Sequence, residues 1–398
     1  MGGDKYLDII IVTSEPFPEG GAATNRIRSY CKGLSELGHT INVIVLKPSS
    51  MYVNKREGSI DGYQYRYATI LTEWSTINLW KKLVKFIVGI YKASLFIIRY
   101  ARKNKTNIIL LISNNPIHIL NYFLVSKFLG INYFQEKSEF PFVLNNRTLI
   151  GKCYAFLYTN ILYKLFDGFI VMTESLLNYL RTKSKVSAKF FHMPMTVEME
   201  RFNNNFDAIL DDEYIAYVGS MGGNKDGVDI LIKSFSIVSH EFPDIKLLLI
   251  GGGPETDLLR LKNLANNLNL QNKVIFLGII ERKLIPQYLC NAKILTLSRP
   301  RSLQSTGGFP TKLGEYLSTG KPVVVTSVGE ITNYLVDNES AYIAKPDDPK
   351  NFAEKIITAL NDYEKAKIIG NRGREIAASN FNYKVQSLRL EKFIKQES

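Results

Sequence analysis

Short apolar runs recur through both halves of this 398-residue chain, each ending in a glycine-bearing loop that restarts as an amphipathic helix. In the first half, residues 7–13 (LDIIIVT) lead into the loop 16–23 (PFPEGGAA). The helix that follows places Ile27, Tyr30, Leu34 and Leu37 on one face, and Gly38-His39 closes it. The second half opens alike, with a run at 214–218, a loop at 219–224 and a helix over 228–239. A strand that is apolar throughout is buried on both faces, which requires a parallel sheet with crossover helices. The same pattern predicts strands at 41–46, 107–112, 132–135 and 169–172. It predicts others at 246–250, 273–277, 294–297, 322–326 and 341–343. Residues 201–213 (RFNNNFDAILDDE) carry neither period and read as a linker. The expected architecture is α/β: two Rossmann-like, doubly wound domains, 1–200 and 201–380, facing across a cleft. Ligands of such sheets bind beyond the C-terminal ends of the strands.

Charge separates the halves. Residues 1–200 hold 25 Lys/Arg and 14 Asp/Glu, whereas 201–398 hold 25 and 23, so nearly all of the net +13 lies in the first half. Between Trp74 and Gln135 there is no acid and there are nine Lys/Arg. One half is built to meet something anionic. Cys31, Cys153 and Cys290 are an odd number without metal-ligand spacing, which fits a reducing compartment. Four scattered His give no dedicated zinc site. The run 9–12 is too short for a signal peptide, so a cytoplasmic protein is expected.

Three segments of the second half carry chemistry. In GSMGGNKDGVD (219–229) a strand ends, a glycine-rich turn exposes backbone N–H groups and a helix begins. That is an anion site by geometry and dipole, with Lys225 adding a full charge; the bland alternative is a loop with a solvated lysine. LLLIGGGPE (247–255) repeats the switch at Gly251 and Gly253, without the third glycine of a dinucleotide fingerprint. GGFPTKLGEYLSTGKPVV (307–324) sets Gly307, Gly308, Phe309, Thr311 and Lys312 around a helix start that carries Glu315. A carboxylate there can accept from a vicinal diol such as ribose, or serve only as a partner of the helix dipole.

In order and spacing these pieces resemble family 4 glycosyltransferases of the GT-B fold over nearly the full chain. The matching stretches include EGGAATNRI, PMTVEMERF (194–202), YVGSMGGNKDGVDILIKSF, LLLIGGGP and FPTKLGEYLSTGKPVVVTSVGE. The resemblance implies sugar transfer from a nucleotide-sugar donor, usually with retained anomeric configuration. The donor would sit in the second domain and the acceptor in the first, which a terminal helix at about 381–398 would complete. Lys225 would then contact the donor diphosphate, with Gly219 and Ser220 beside it, and Glu315 the ribose. Gly20 and Gly21 would approach the diphosphate, and backbone at Gly278 and Ile279 would meet the base. No metal or other cofactor is expected, and there is no Asp-x-Asp pair.

Three positions depart from the family pattern. The first glutamate of its usual pair is Gly307 here, which leaves donor-sugar hydroxyls to backbone or to Gln304, Ser305 and Thr306. Ser220 stands where an arginine is usual, so Arg299 or Arg301 would supply that charge or be only a solvated loop residue. The middle first-domain histidine is replaced by a stretch bearing Glu136 and Glu139. These carboxylates would bind or deprotonate an acceptor hydroxyl, or merely pair with nearby cations.

Residues 78–103 project as a helix with Lys81, Lys85, Lys92, Arg99 and Lys103 in one stripe and apolar residues elsewhere. Internal lysines exclude a spanning helix, and the pattern suits one lying on an anionic membrane surface, or a domain helix with a solvated basic stripe. Nucleic acid is not expected, as no recognition motif accompanies the charge. The combined expectation is a membrane-peripheral glycosyltransferase. It would use a UDP- or GDP-sugar on a lipid-linked or other membrane-associated glycan, as in surface polysaccharide synthesis. The rivals are a non-catalytic nucleotide-sugar- or partner-binding protein, a soluble-glucan synthase and a sugar-nucleotide epimerase.

Overall fold

A computed structural model describes residues 6–47, 54–69, 79–141, 148–203, 206–223 and 225–397. The chain divides into two compact units, Met1–Thr196 with Tyr383–Ser398, and Val197–Asn382.

The first unit is built on eight strands: β1 Asp8–Thr13, β2 Thr40–Val45, β3 Glu57–Ile60, β4 Tyr63–Tyr67, β5 Ile108–Ile112, β6 Asn132–Lys137, β7 Gly168–Val171 and β8 Lys189–His192. Their order is β3-β4-β2-β1-β5-β6-β7-β8, and only β3–β4 is antiparallel. The helices are α1 Ala22–Glu36, α2 Leu79–Ala101, α3 Pro116–Leu129, α4 Leu149–Asn160 and α5 Glu174–Arg181. The crossover through α1 runs leftward along the sheet and those through α2 to α5 run rightward. Right-handed crossovers therefore place α1 on one face and α2 to α5 on the other. The cores agree: Ile27, Tyr30 and Leu34 of α1 join one cluster. Ile97, Ile119, Tyr122 and Leu176 join a second.

The β3–β4 hairpin and β8 lie beyond the strands expected from apolar runs. β3 is largely exposed, and β4 alternates buried tyrosine with exposed polar residues, so neither forms a continuous apolar run. The hairpin turns at Asp61 and Gly62, both left-handed (φ 48° and 84°), the backbone that an Asp-Gly pair favours. Leu37, expected on the buried face of α1, lies past its last residue and is exposed.

The second unit is a wholly parallel sheet of β9 Tyr214–Val218, β10 Lys246–Ile250, β11 Val274–Gly278, β12 Ile294–Leu297, β13 Val323–Thr326 and β14 Tyr342–Ala344. Its order is β11-β10-β9-β12-β13-β14. The helices are α6 Val228–Glu241, α7 Glu255–Asn267, α8 Ile285–Asn291, α9 Leu303–Gly307, α10 Thr311–Ser318, α11 Ile331–Tyr334, α12 Pro349–Asn361 and α13 Tyr363–Asn380. A final helix, α14 Tyr383–Glu397, packs in the first unit beside α1. There Leu390 and Ile394 enter the α1-side core, and Glu391 lies 3.0 Å from His39 Nε2.

Each sheet has one point where successive crossovers reverse direction, between β1 and β5 and between β9 and β12. Ligands bind at such points, beyond the carboxyl ends of the strands. In the first unit the Gly20-Gly21 loop follows β1, and Ser113-Asn114 follows β5. In the second the Gly219 loop follows β9, and Ser298-Arg299 follows β12.

Candidate active site

Around β9 the second unit brings together the glycine segments that the sequence set apart. The Gly219 N–H donates to the Ile250 carbonyl at 2.9 Å, and the Met221 N–H to that of Gly252 at 2.8 Å. Gly251 (φ 134°) lies so close that a Cβ there would fall 1.9 Å from the Gly219 oxygen. The Gly251 N–H continues the chain of contacts to the Gly278 carbonyl at 2.8 Å. Loops after β9, β10 and β11 thus form one backbone-lined floor, with Ile279 exposed at its edge. Gly227 (φ 65°) opens α6, and a Cβ on it would meet the Ser298 carbonyl oxygen at 2.1 Å. The Ser298 hydroxyl donates back to the Gly227 oxygen at 2.7 Å, tying the α6 start to the end of β12.

A buried charge cluster lies under this floor. Asp226 pairs with Lys312 of α10, and its other oxygen is 3.5 Å from Arg299 Nε. The Tyr217 hydroxyl is 2.9 Å from the Asp226 carboxylate and 2.7 Å from the Ser220 carbonyl oxygen. Burial pushes the Asp226 carboxyl up, but Lys312 and Arg299 outweigh it and hold it below its usual value. Burial lowers Lys312 in turn, and Asp226 only partly restores it. Lys312 Nζ crowds the Cα of Gly219, where a Cβ would sit 2.2 Å from it. Arg299, one residue suggested for the missing arginine charge, is 2% exposed and faces Asp226 instead of solvent. Arg301 is exposed, and its N–H donates to Asp347 at 3.1 Å. Lys312 Nζ reaches the Tyr217 hydroxyl at 3.3 Å, the same hydroxyl that donates to the Ser220 carbonyl, whereas Lys225 is exposed.

Glu315 does not stand alone: Arg201 Nη1 donates to its carboxylate at 2.8 Å. Arg201 also donates to the Arg282 carbonyl at 3.1 Å, and Arg282 pairs with Glu198 at 3.2 Å. Arg201 thus belongs to a folded turn, Met199–Phe202, within the stretch read as the start of a linker. Gly307 and Gly308 are buried, and Phe309 packs in a ring cluster with Tyr334 and Phe381 at 5.5 Å from each. Thr311 opens α10. Ser305 is buried in the α9 capping box with Ser302, and Thr306 Oγ1 donates to the Ser302 carbonyl at 3.0 Å. Of the three side chains proposed for sugar hydroxyls, Gln304 and Thr306 are exposed and Ser305 is buried.

In the first unit Gly20 and Gly21 sit in the loop after β1, at that sheet's reversal point. Glu136 is buried, with Arg26 Nε 2.6 Å from its carboxylate. The same guanidinium donates to the carbonyls of Pro194 and Met193 at 2.5 and 2.7 Å. Glu136 therefore holds the α1–β6 packing together. Glu139 is exposed just beyond β6. Between them Lys137 is buried, donates to Asn114 at 2.5 Å and is pushed by burial down to about 8. Sequence reasoning missed Asp226, Tyr217, Arg201 and Lys137. Asp226 and Arg201 lie inside the stretches that carried the resemblance, where a charge next to a glycine or an aromatic was the available signal.

Among the described residues no group of three His, Cys, Asp or Glu could hold a metal ion. No described helix is long and apolar enough to cross a membrane. The basic helix is α2, ending at Ala101; Lys82, Lys92 and Arg99 are exposed, and the side chain of Lys81 lies outside the described residues. Most apolar residues of its first two-thirds are exposed as well.

Two Rossmann-like units, the second with a glycine-floored crevice backed by lysines, define the GT-B fold. Residues 198–376 match the family described as glycosyl transferases group 1. Over 154 residues it is 28% identical to N-acetyl-alpha-D-glucosaminyl L-malate synthase of Bacillus anthracis, covering 39% of this chain and 38% of that protein. Over 216 residues it is 24% identical to the GDP-mannose-dependent alpha-(1-6)-phosphatidylinositol monomannoside mannosyltransferase of Mycolicibacterium smegmatis, covering 51% and 56%. The chain thus spans between 38% and 56% of the length of these curated relatives. The fold is shared with Anabaena Alr3699/HepE, solved in complex with UDP, at a TM-score of 0.72, 12% identity and 98% and 100% coverage.

Proposed function

We propose that the protein transfers a sugar from a UDP- or GDP-sugar to a hydroxyl of a lipid-linked or other membrane-associated glycan. The observation that carries this reading is the floor of Gly219, Gly251 and Gly278 with Lys225 and Lys312 beside it, in a unit matching group 1 glycosyltransferases. Close-approaching backbone and two cations suit a diphosphate. The relatives add support on both sides, since one is named for GDP-mannose and a phosphatidylinositol glycolipid, and a structural neighbour was solved with UDP.

In the reaction the bond between the sugar C1 and the β-phosphate oxygen breaks, and an acceptor oxygen bonds C1. The nucleoside diphosphate leaves with the bonding pair, and the acceptor proton passes to a phosphate oxygen or to Glu139. Negative charge develops on the leaving group, and Lys225, Lys312 and backbone N–H groups stabilise it. Glu315 accepts from the ribose hydroxyls, with Arg201 orienting it. Retention of anomeric configuration follows from the family resemblance. The basic stripe of α2 faces an anionic membrane.

The test is incubation with labelled UDP- and GDP-sugars and a panel of lipid-linked and soluble acceptors. Labelled product in the lipid extract that is severely reduced in both Lys225→Ala and Glu315→Ala supports the reading. Full activity in both variants defeats the site assignment.

A further inference from the structure

The first unit exposes apolar side chains on one side. Ala93 and Ile97 of α2, Ile119 and Tyr122 of α3 and Tyr158 of α4 all enter the same core cluster. The three helices therefore lie on one face of the sheet, with their opposite sides turned outward. α2 and α3 are also joined directly, by the Asn121 amide donating to Ser94 Oγ at 2.9 Å and by Phe86 stacked on His118.

Those outward sides are apolar. On α2, Trp80 (75% exposed), Ile87 and Tyr91 share a stripe. At about 100° per residue the basic stripe of Lys85, Lys92 and Arg99 runs along its border. On α3, Leu124 and Phe128 belong to a stripe opposite the buried one. α4 buries little of itself, and Ile150 is 83% exposed. None of the three helices contains an acid, and they carry Lys82, Lys85, Lys92, Arg99, Lys127 and Lys152. Exposed apolar surface on this scale marks an interaction site. A second copy does not fit, because an isologous contact would set these cations against their own kind. A bilayer with anionic headgroups fits both features: headgroup phosphates meet the cations, and the acyl boundary takes the apolar stripes.

We propose that α2, α3 and α4 form one platform that enters the acyl boundary of an anionic bilayer, with α3 and α4 contributing as much as the basic helix. It extends the membrane-facing part of the proposed function from one charged stripe to a three-helix inserted surface.

The test uses the full chain carrying Trp74→Phe, which leaves Trp80 as the only tryptophan. It is mixed with phosphatidylcholine vesicles, with or without phosphatidylglycerol, whose acyl chains are brominated. The platform predicts flotation with the anionic vesicles and quenching of Trp80 by acyl-chain bromines. It predicts that Leu124→Ser/Phe128→Ser on α3 and Ile150→Ser/Leu157→Ser on α4 each weaken vesicle binding by at least about tenfold. The four side chains replaced by serine are exposed, so circular dichroism and the thermal shift given by the preferred nucleotide should match the Trp74→Phe parent. Parent-like flotation of both serine variants, or flotation without quenching, overturns the proposal. So does concentration-dependent dimerisation in ultracentrifugation that the α4 variant abolishes. A chain that floats and is quenched but responds to no nucleotide sugar leaves the platform standing and removes the transferase reading. One that binds nucleotide sugar but ignores anionic vesicles does the reverse.

Discussion

Lys312, on the first turn of α10, pairs with Asp226, the residue just before the glycine that opens α6. The contact joins two sequence segments 86 positions apart and sets an ammonium against the Gly219 loop. It also compensates a carboxylate that would otherwise be buried between Tyr217 and Arg299.

Removing the carboxylate leaves a buried cation, Arg299, facing the half-buried Lys312 without their shared counter-charge. Asp226→Ala should therefore destabilise the fold by about 3–5 kcal/mol. Lys312→Met should cost less, because Arg299 still faces Asp226, yet it should weaken nucleotide binding. Urea unfolding and nucleotide-induced thermal shifts separate the two effects. Equal stability of Asp226→Ala and the parent would show that the pair is not buried as described.

Gly251 and Gly21 make a contrasting pair. A Cβ at Gly251 would strike the Gly219 oxygen at 1.9 Å, on backbone at φ 134°. A Cβ at Gly21 meets nothing within 4 Å, on ordinary extended backbone at φ −83°. Gly251→Ala should lower stability by ~2 kcal/mol or more and abolish nucleotide binding. Gly21→Ala should fold normally. Circular dichroism melts of the two variants check the contrast.

Arg201 orients Glu315 and touches nothing assigned to the reacting atoms. Arg201→Met should thus raise the donor KM several-fold (roughly 1 kcal/mol, as for a partly exposed charged pair) with a smaller change in kcat. Glu315→Gln should raise the donor KM further. Steady-state kinetics with the preferred donor distinguishes these outcomes from a general loss of fold, which would lower the active fraction at unchanged KM.

His118 gives a pH prediction. Burial, with the nearby charge of Lys47, pushes its pKa from 6.5 down to about 4. The folded state keeps it neutral, while the unfolded chain takes up a proton below about 6.5. Stability should therefore fall as pH drops from 6.5 towards 4, by ~3 kcal/mol from this group. Denaturation midpoints across that range should show the slope, and His118→Phe should flatten it.

Much of the second unit was legible because its strands are continuous apolar runs broken by glycines. The strands at 214–218, 246–250 and 294–297 match β9, β10 and β12 residue for residue. The β3–β4 hairpin was harder to see, since its signal is alternation on a half-exposed edge and an Asp-Gly turn. The site was legible where backbone makes it: Gly219, Gly251 and Gly278 do converge. It was not legible where side chains meet across the fold. Nothing local in the sequence couples Asp226 to Lys312, Arg201 to Glu315 or Glu136 to Arg26, because tertiary packing alone makes them neighbours. The exposed apolar faces of α3 and α4 escaped for a related reason. A stripe of leucine and phenylalanine looks the same whether it faces the core or the outside.

The proposed function rests on reading the glycine floor beside β9 as a diphosphate site. Its most direct test is transfer of labelled sugar from a panel of UDP- and GDP-sugars, comparing the parent with Lys225→Ala. The account predicts that the parent transfers from at least one donor and that Lys225→Ala loses roughly 100-fold or more in kcat/KM while melting like the parent. Transfer by a folded Lys225→Ala at the parent's rate would contradict it.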